Sequence, residues 1–373
     1  MEIDRLELLR AVLATPHAPL SGLRLQDLDL HTVEPELLDR TDLTDLVVLG
    51  GRLSPALTDH LVRHGAIVFP SDPKAPLDVY RSRLYTADEL YAGLADGYAG
   101  TPDGRAYEWT LDHAAGADAY ATMLRAIHDE SITDALDEVL RGRRVVGVMG
   151  GHQAQRGSIV YAAAARLGLT LADAGLVVLT GGGPGAMEAA NLGAYAAYPS
   201  GLDRALRTLA EAPSFVPNVS AWATAGFAAR EALGVRGADD PLRSVGIPTW
   251  FYGHEPPNVF GQLIAKYFSN ALREDQLLAR CTAGIVALPG AAGTVQEIFQ
   301  VSTRLFYERM GVGDALLALR EPLPPLVLVG VEHWTRTLPA WPLLQTLGAG
   351  RPMGRALHLV DTVEQAARVI TGR

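Results

Sequence analysis

From about Arg144 onward the chain alternates short, continuous apolar runs with stretches of helical period, and this alternation constrains the fold most. The runs are VVGVMG (145–150), GLVVLTGGG (175–183), SVGIPTWFY (244–252), GIVALPG (284–290), PLVLVG (325–330) and ALHLV (356–360). Between them lie SIVYAAAARLG, GAMEAANLGAYAAY, VFGQLIAKYFSNAL and TVQEIFQVSTRLFYER. A strand that is apolar at successive positions is buried on both faces, which is the environment of a parallel sheet covered by helices. Right-handed crossovers then give an α/β fold, a doubly wound Rossmann-like parallel sheet, over 141–373.

The first third reads differently. DLVVLGGRLSPALTDHLVRHGAIVFP predicts one strand–helix–strand unit, and Tyr85 to Arg141 reads as mostly helical, broken at GYAGTPDG. Residues 1–140 are therefore expected to form a smaller α/β and helical region, with a regulatory or oligomer-forming role. The SGLRLQDLDLH stretch is too short to indicate a repeat array.

The net charge of −10 opposes binding to nucleic acid or to an anionic membrane surface. No run approaches the ~18 apolar residues that span a bilayer, and the acidic start MEIDRLELLRAVLATP lacks a secretory pattern, so a cytoplasmic location is expected. Cys281 is the single cysteine, which leaves no thiolate zinc cluster, and its place before an apolar strand favours a buried small hydrophobe. Lys74 and Lys266 are the only lysines. Neither lies in a Gly-Lys-Ser/Thr phosphate loop, and few candidates remain for a cofactor Schiff base. His60 and His64 have metal-ligand spacing, but no third ligand is near in sequence, and a solvated helix face is the expectation; no metal and no cofactor are expected.

In open α/β sheets ligands bind beyond the carboxyl ends of the strands. Gly150, Gly151 and His152 follow the first run, Gly181 to Gly183 and Met187 follow the second, and His254 lies in YGHEPPN after the third. Gly181, Gly183 and Ala186 make a weak dinucleotide fingerprint, but no acidic residue ends the next strand to hold a ribose, so a nicotinamide-dependent oxidoreductase is the weakest reading. LPGAAGT ends in Gly293-Thr294 at a helix start, where N–H groups and the helix dipole favour an anion. Glu297 has two readings. It is the partner of an N-capping Thr294 in a capping box, or, if the helix starts earlier, a carboxylate one turn inside and facing the crevice.

GGGPGAMEAANLGA and PGAAGTVQE together resemble the two signature motifs of the Lonely Guy (LOG) family, the second of which runs Pro-Gly-Gly-x-Gly-Thr-x-x-Glu. EPPN (255–258) and the chain length resemble the larger bacterial nucleotide 5′-monophosphate nucleosidases of that family; the likeness covers about Arg144 to Gly330. The resemblance implies hydrolysis of nucleoside 5′-monophosphates to free base and ribose 5-phosphate, in a homo-oligomer. It implies phosphate binding by Gly290, Gly293 and Thr294, catalysis by Glu297 with Arg273, and contact of Gly182, Gly183 and Met187 with ribose and base. The sequence departs from the pattern at three places. Ala291 replaces a glycine, Gly151-His152 replaces a frequent Gly-Ser pair, and the spacing around LRED selects Arg273 counted forward from Asn258 but Glu274 counted back from Pro289. A non-catalytic nucleotide or molybdenum-cofactor carrier on the same fold is the alternative.

Overall fold

A computed structural model of the chain describes residues 2–72, 74–112, 116, 118–196, 198–234, 240–251, 255–307 and 323–372. They form two compact units, Met1–Leu84 with Leu111–Leu136, and Tyr85–Thr110 with Asp137–Arg373.

The first unit holds four short parallel strands in sequential order: β1 (Glu2–Ile3), β2 (Arg24–Gln26), β3 (Val47–Leu49) and β4 (Ile67–Phe69). Glu2 pairs with Arg24, Arg24 with Val47 and Val47 with Ile67, so the chain returns to the same rung every 20-odd residues, roughly the period of a strand–helix solenoid. Two residues before β2, β3 and β4 stand Gly22, Asp45 and Gly65, with φ of 72°, 63° and 89°. They stack on one another: Gly22 N–H donates to Asp45 O and Asp45 N–H to Gly65 O, both at 3.2 Å. Inside the coils Leu25, Leu46, Val48, Leu57 and Leu61 are buried in one core. The repeat extends well beyond SGLRLQDLDLH, over residues 2–69. Its coils share a left-handed corner and a few leucines, while the second of the helices between the strands, Glu34–Leu38, is shorter than Leu6–Ala14 and Pro55–Arg63.

The second unit is built on a seven-stranded, wholly parallel sheet of β5 (Val145–Met149), β6 (Val177–Thr180), β7 (Ser244–Gly246), β8 (Leu263–Ile264), β9 (Gly284–Ala287), β10 (Leu326–Val329) and β11 (Leu357–Val360). The order across the sheet is β11-β10-β9-β5-β6-β7-β8. Every residue of β5, β6, β9 and β10 is buried, as the unbroken apolar runs require. The doubly wound, Rossmann-like α/β reading is correct. Ser158 caps the helix Ile159–Asp173 by accepting from Tyr161 N–H at 3.2 Å.

Two local expectations fail. The third apolar run leaves the regular ladder at Gly246, because Pro248 has no N–H to donate, and rejoins its neighbour only through a single bridge, Thr249 with Tyr267. VFGQLIAKYFSNAL is not one helix: it carries β8, and the helix Asn270–Ala279 starts late, capped by Ser269. Val259, Phe260, Ile264, Ala265 and Tyr267 are all buried, so the segment has no polar face, and a short apolar run does not separate helix from strand.

Tyr85–Thr110 belongs to this second unit, although it precedes residue 140, where the sequence reading sets the boundary. Tyr85 exchanges both backbone hydrogen bonds with Ile264, at 2.9 and 2.8 Å. Among the described residues no helix is long and apolar enough to cross a membrane.

Candidate functional site

From β5 the chain winds outward through β6, β7 and β8, then returns to the other side of β5 as β9. The crevice at such a switch point opens between the carboxyl ends of the two diverging strands. Here those ends are Gly150-Gly151-His152 and Leu288-Pro289-Gly290. They are stitched together: Leu288 N–H donates to Met149 O at 2.9 Å and Gly151 N–H to Pro289 O at 3.3 Å. Gly151 O accepts from Ala186 N–H at 3.2 Å, which brings the helix after β6 to the same point. Gly150 has a packing role, since a Cβ there would sit 3.0 Å from the Cβ atoms of both Ala186 and Leu288.

The helix after β9 runs Ala292–Tyr307 and starts before Thr294. Val295 N–H donates to Ala291 O at 3.0 Å, so Thr294 lies inside the first turn and no capping box forms with Glu297. Ala291, Ala292 and Gly293 are exposed, which leaves the first-turn N–H groups facing outward. No residue from Pro289 to Gly293 has positive φ, so alanine at 291 fits the loop without strain. Gly290 is needed for closeness: a Cβ would lie 2.1 Å from the Thr294 hydroxyl oxygen. Gly290 O is 3.1 Å from His333 Nε2.

Glu297 and Arg273 are both buried, 8% and 7% exposed. Arg273 Nε donates to Ile247 O at 2.8 Å and Nη2 to Gly181 O at 3.3 Å, while Nη1 lies 3.7 Å from Glu297 Oε1. Glu274 accepts from Asn270 Nδ2 at 2.8 Å and Gln296 Nε2 at 2.5 Å, and its Oε1 lies 4.0 Å from the same Arg273 Nη1. The arginine of LRED is therefore the side chain that links Glu297 to the β6 and β7 loops. Burial raises the Glu297 pKa to about 7; the Arg273 charge opposes this, and Glu274 and Glu255 add to it.

Gly181–Gly183 are shaped by a buried amide network. Gly182 adopts φ 71°, and its N–H donates to Thr180 Oγ1 at 3.0 Å. Thr180 and Asn258 both donate to Asn191 Oδ1, at 2.6 and 3.0 Å, and Asn258 N–H donates to Gly182 O at 2.8 Å. Asn191 of the first motif and Asn258 of EPPN thus meet under the glycine loop. A Cβ on Gly181 would fall 2.7 Å from Met187 Sδ, and one on Gly183 would meet Met187 Cε at 3.1 Å and Glu255 Oε2 at 3.2 Å. Glu255 Oε1 lies 3.1 Å from His152 Nδ1.

Arg156 and Glu188 form a buried forked ion pair, and the Arg156 guanidinium stacks 4.4 Å over Trp222. They floor a cavity of about 490 Å³ whose walls include His152, Gln153, Ser214 and Phe215.

Of the sequence-selected residues, Gly150, Gly151, His152, Gly182, Gly183 and Gly290 lie at strand exits, Met187, Gly293, Thr294 and Glu297 on the helices that follow β6 and β9, and Arg273 on the helix before β9; His254 is outside the described residues. Sequence reasoning gave no separate role to Glu255, Asn191 or the Arg156–Glu188 pair, and weighed Glu274 only as the alternative to Arg273. Glu188 and Asn191 carried a signal, as the two polar residues of the otherwise apolar helix Ala186–Tyr195. Lys266 is 2% exposed and bonds Asp103 at 2.6 Å, in a hub where Asp103 also accepts from Trp250 Nε1 and Tyr98 OH; burial lowers its pKa. Cys281 is buried, and burial pushes its thiol up to about 12. His60 Nε2 and His64 Nδ1 meet backbone oxygens at 2.7 and 2.9 Å. No cluster of three or more metal-binding side chains occurs among the described residues.

Residues 143–202 match the model of the SLOG cluster4 family, a stretch that covers β5, β6 and the glycine loops behind them. No curated protein matches the chain. Among solved structures, the molybdenum cofactor binding protein from the phototrophic bacterium Rippkaea orientalis is 17% identical, with 62% of this chain and 98% of that one covered and a TM-score of 0.37. The molybdenum cofactor carrier protein MCP from Chlamydomonas reinhardtii is 18% identical, with 62% and 97% covered and a TM-score of 0.35.

Proposed function

We propose that the switch-point crevice hydrolyses the N-glycosidic bond of nucleoside 5′-monophosphates, giving free base and ribose 5-phosphate. The observation that carries this reading is the buried Glu297–Arg273 pair one helical turn behind an exposed helix N-terminus. The 5′-phosphate takes the first-turn N–H groups around Gly293 and Thr294. Three residues further on, about 4.5 Å along the axis, Glu297 stands at the distance of the sugar. As the base departs, positive charge builds on the ribose ring, and an ionised carboxylate beside it stabilises the transition state more than the ground state. Glu297 also takes the proton of the water that attacks the anomeric carbon. Arg273, fixed by two backbone carbonyls, holds Glu297 in place and favours its ionised form. The resemblance of PGAAGTVQE to the LOG motif supports the same roles.

Incubation with a panel of nucleoside monophosphates, followed by chromatography for free base, tests this reading. Release of base from at least one of them is expected. Nucleotide binding without base release from any of them identifies a carrier and contradicts it.

A further inference from the structure

We infer that His152, braced by Glu255, is the proton donor to the departing base, and that the cavity beside it is the base pocket. The inference rests on the hydrolase reading above and assigns the half of the reaction that Glu297 leaves open.

A nucleobase leaves poorly as an anion, so bond cleavage needs a proton on its ring nitrogen as well as charge stabilisation on the sugar. Glu297, on the helix after β9, serves the sugar together with Arg273, which reaches it from the exits of β6 and β7. His152 lies at the exit of β5, half-exposed, with Nδ1 3.1 Å from Glu255 Oε1. Glu255 is itself placed against Gly183, the floor of the first-motif loop. A carboxylate at one imidazole nitrogen fixes the ring and leaves the other nitrogen for the substrate. No hydrogen bond to His152 Nε2 exists among the described residues.

The cavity of about 490 Å³ reaches from His152 to Phe215 and Ser214. Its size is that of a small-ligand pocket. It offers a base an aromatic face at Phe215 and polar groups at Gln153 and Ser214 for the ring edge. The Arg156–Glu188 pair beneath is saturated by its own contacts, with Arg156 Nη1 also donating to Trp222 O at 2.9 Å, and gives the pocket a rigid floor.

The step balances as follows. The C–N bond breaks with its electron pair going to the base, whose nitrogen takes a proton from imidazolium Nε2. Water adds to the anomeric carbon and gives its proton to Glu297. Solvent then reprotonates His152 and deprotonates Glu297, so the net reaction is nucleotide plus water to base plus ribose 5-phosphate.

The test compares two leaving groups in the full-length protein: a nucleoside monophosphate, whose base needs the proton, and 4-nitrophenyl riboside 5-phosphate, whose phenolate leaves without one. His152→Gln is expected to lower kcat for the nucleotide by about 10²-fold or more and kcat for the nitrophenyl substrate by less than about 3-fold, as no proton is needed there. Glu255→Gln is expected to show the same selectivity with a smaller loss. Equal loss on both substrates in His152→Gln, or loss on neither, overturns the role of His152. Absence of base and nitrophenol release by the unaltered protein overturns the hydrolase reading itself.

Discussion

Arg273 spends two of its nitrogens on the carbonyls of Ile247 and Gly181, and the third faces Glu297 Oε1 at 3.7 Å. One side chain therefore ties the exits of β6 and β7 to the helix that follows β9. Arg273→Lys keeps the charge but cannot make both carbonyl bonds from one ammonium position. We expect kcat for base release to fall about 10²-fold, with KM changed much less, because the interaction matters most as charge develops. Steady-state kinetics on the preferred nucleotide checks this.

Glu297 titrates near 7 in the folded protein, against 4.5 for a free side chain. Between these values the native state binds more protons than the unfolded one, so this group's contribution to stability falls as pH rises from about 4.5 to about 7. The full penalty above that window is about 3 kcal/mol. Glu297→Gln removes the ionisable group and is expected to be more stable than the parent at pH 8, with the difference vanishing near pH 5. Denaturant titrations at both pH values report it. Catalysis follows the opposite sense: kcat/KM rises through about pH 7 as Glu297 ionises. Glu274→Gln, which removes a neighbouring negative charge, moves that midpoint down.

Gly290 and Gly293 separate packing from binding. A methyl on Gly290 collides with the Thr294 hydroxyl, so Gly290→Ala is expected to lower thermal stability and weaken nucleotide binding together. Among the described residues nothing lies within 4 Å of a Cβ at Gly293, so Gly293→Ala does not lower the melting temperature. Its methyl enters the space assigned to the phosphate, and binding of the 5′-monophosphate weakens while binding of the nucleoside does not. Calorimetry with both ligands distinguishes the two variants.

Asp103 accepts from Lys266, Trp250 and Tyr98 inside the second unit and is fully buried. Asp103→Ala strands three donors, one of them a buried ammonium, and is expected to cost about 3–5 kcal/mol in denaturant unfolding. Lys266→Met leaves Asp103 with its two neutral donors and is expected to cost less.

The seven-stranded sheet was legible because β5, β6, β9 and β10 are buried on both faces and so are written as unbroken apolar runs. β8 was not, because Leu263 and Ile264 sit in a segment buried on all sides, where helix and strand leave the same imprint. The solenoid of the first unit was hidden for a different reason. Its period is carried by backbone conformation at Gly22, Asp45 and Gly65, and an aspartate in the left-handed region looks like any turn residue. In the candidate site, local spacing pointed to a helix start at Gly293-Thr294, while Gly290 and the role of Glu297 came from the resemblance to the LOG motif. Glu255 was not legible, since its partner His152 is distant in sequence and only the sheet order brings them together. The choice between Arg273 and Glu274 was likewise beyond counting, because it depends on where the helix Asn270–Ala279 points each side chain, and Arg273 is the one that reaches Glu297, at 3.7 Å.

The most direct measurement pairs turnover with binding in Glu297→Gln. Base release from the preferred nucleoside monophosphate is followed by chromatography, and affinity for the same nucleotide by calorimetry. Loss of at least about 10³-fold in turnover with affinity kept within a few-fold is the predicted result, because Glu297 acts on charge that exists only in the transition state. Turnover equal to that of the unaltered protein would contradict the assignment of Glu297 and, with it, the reading of the crevice.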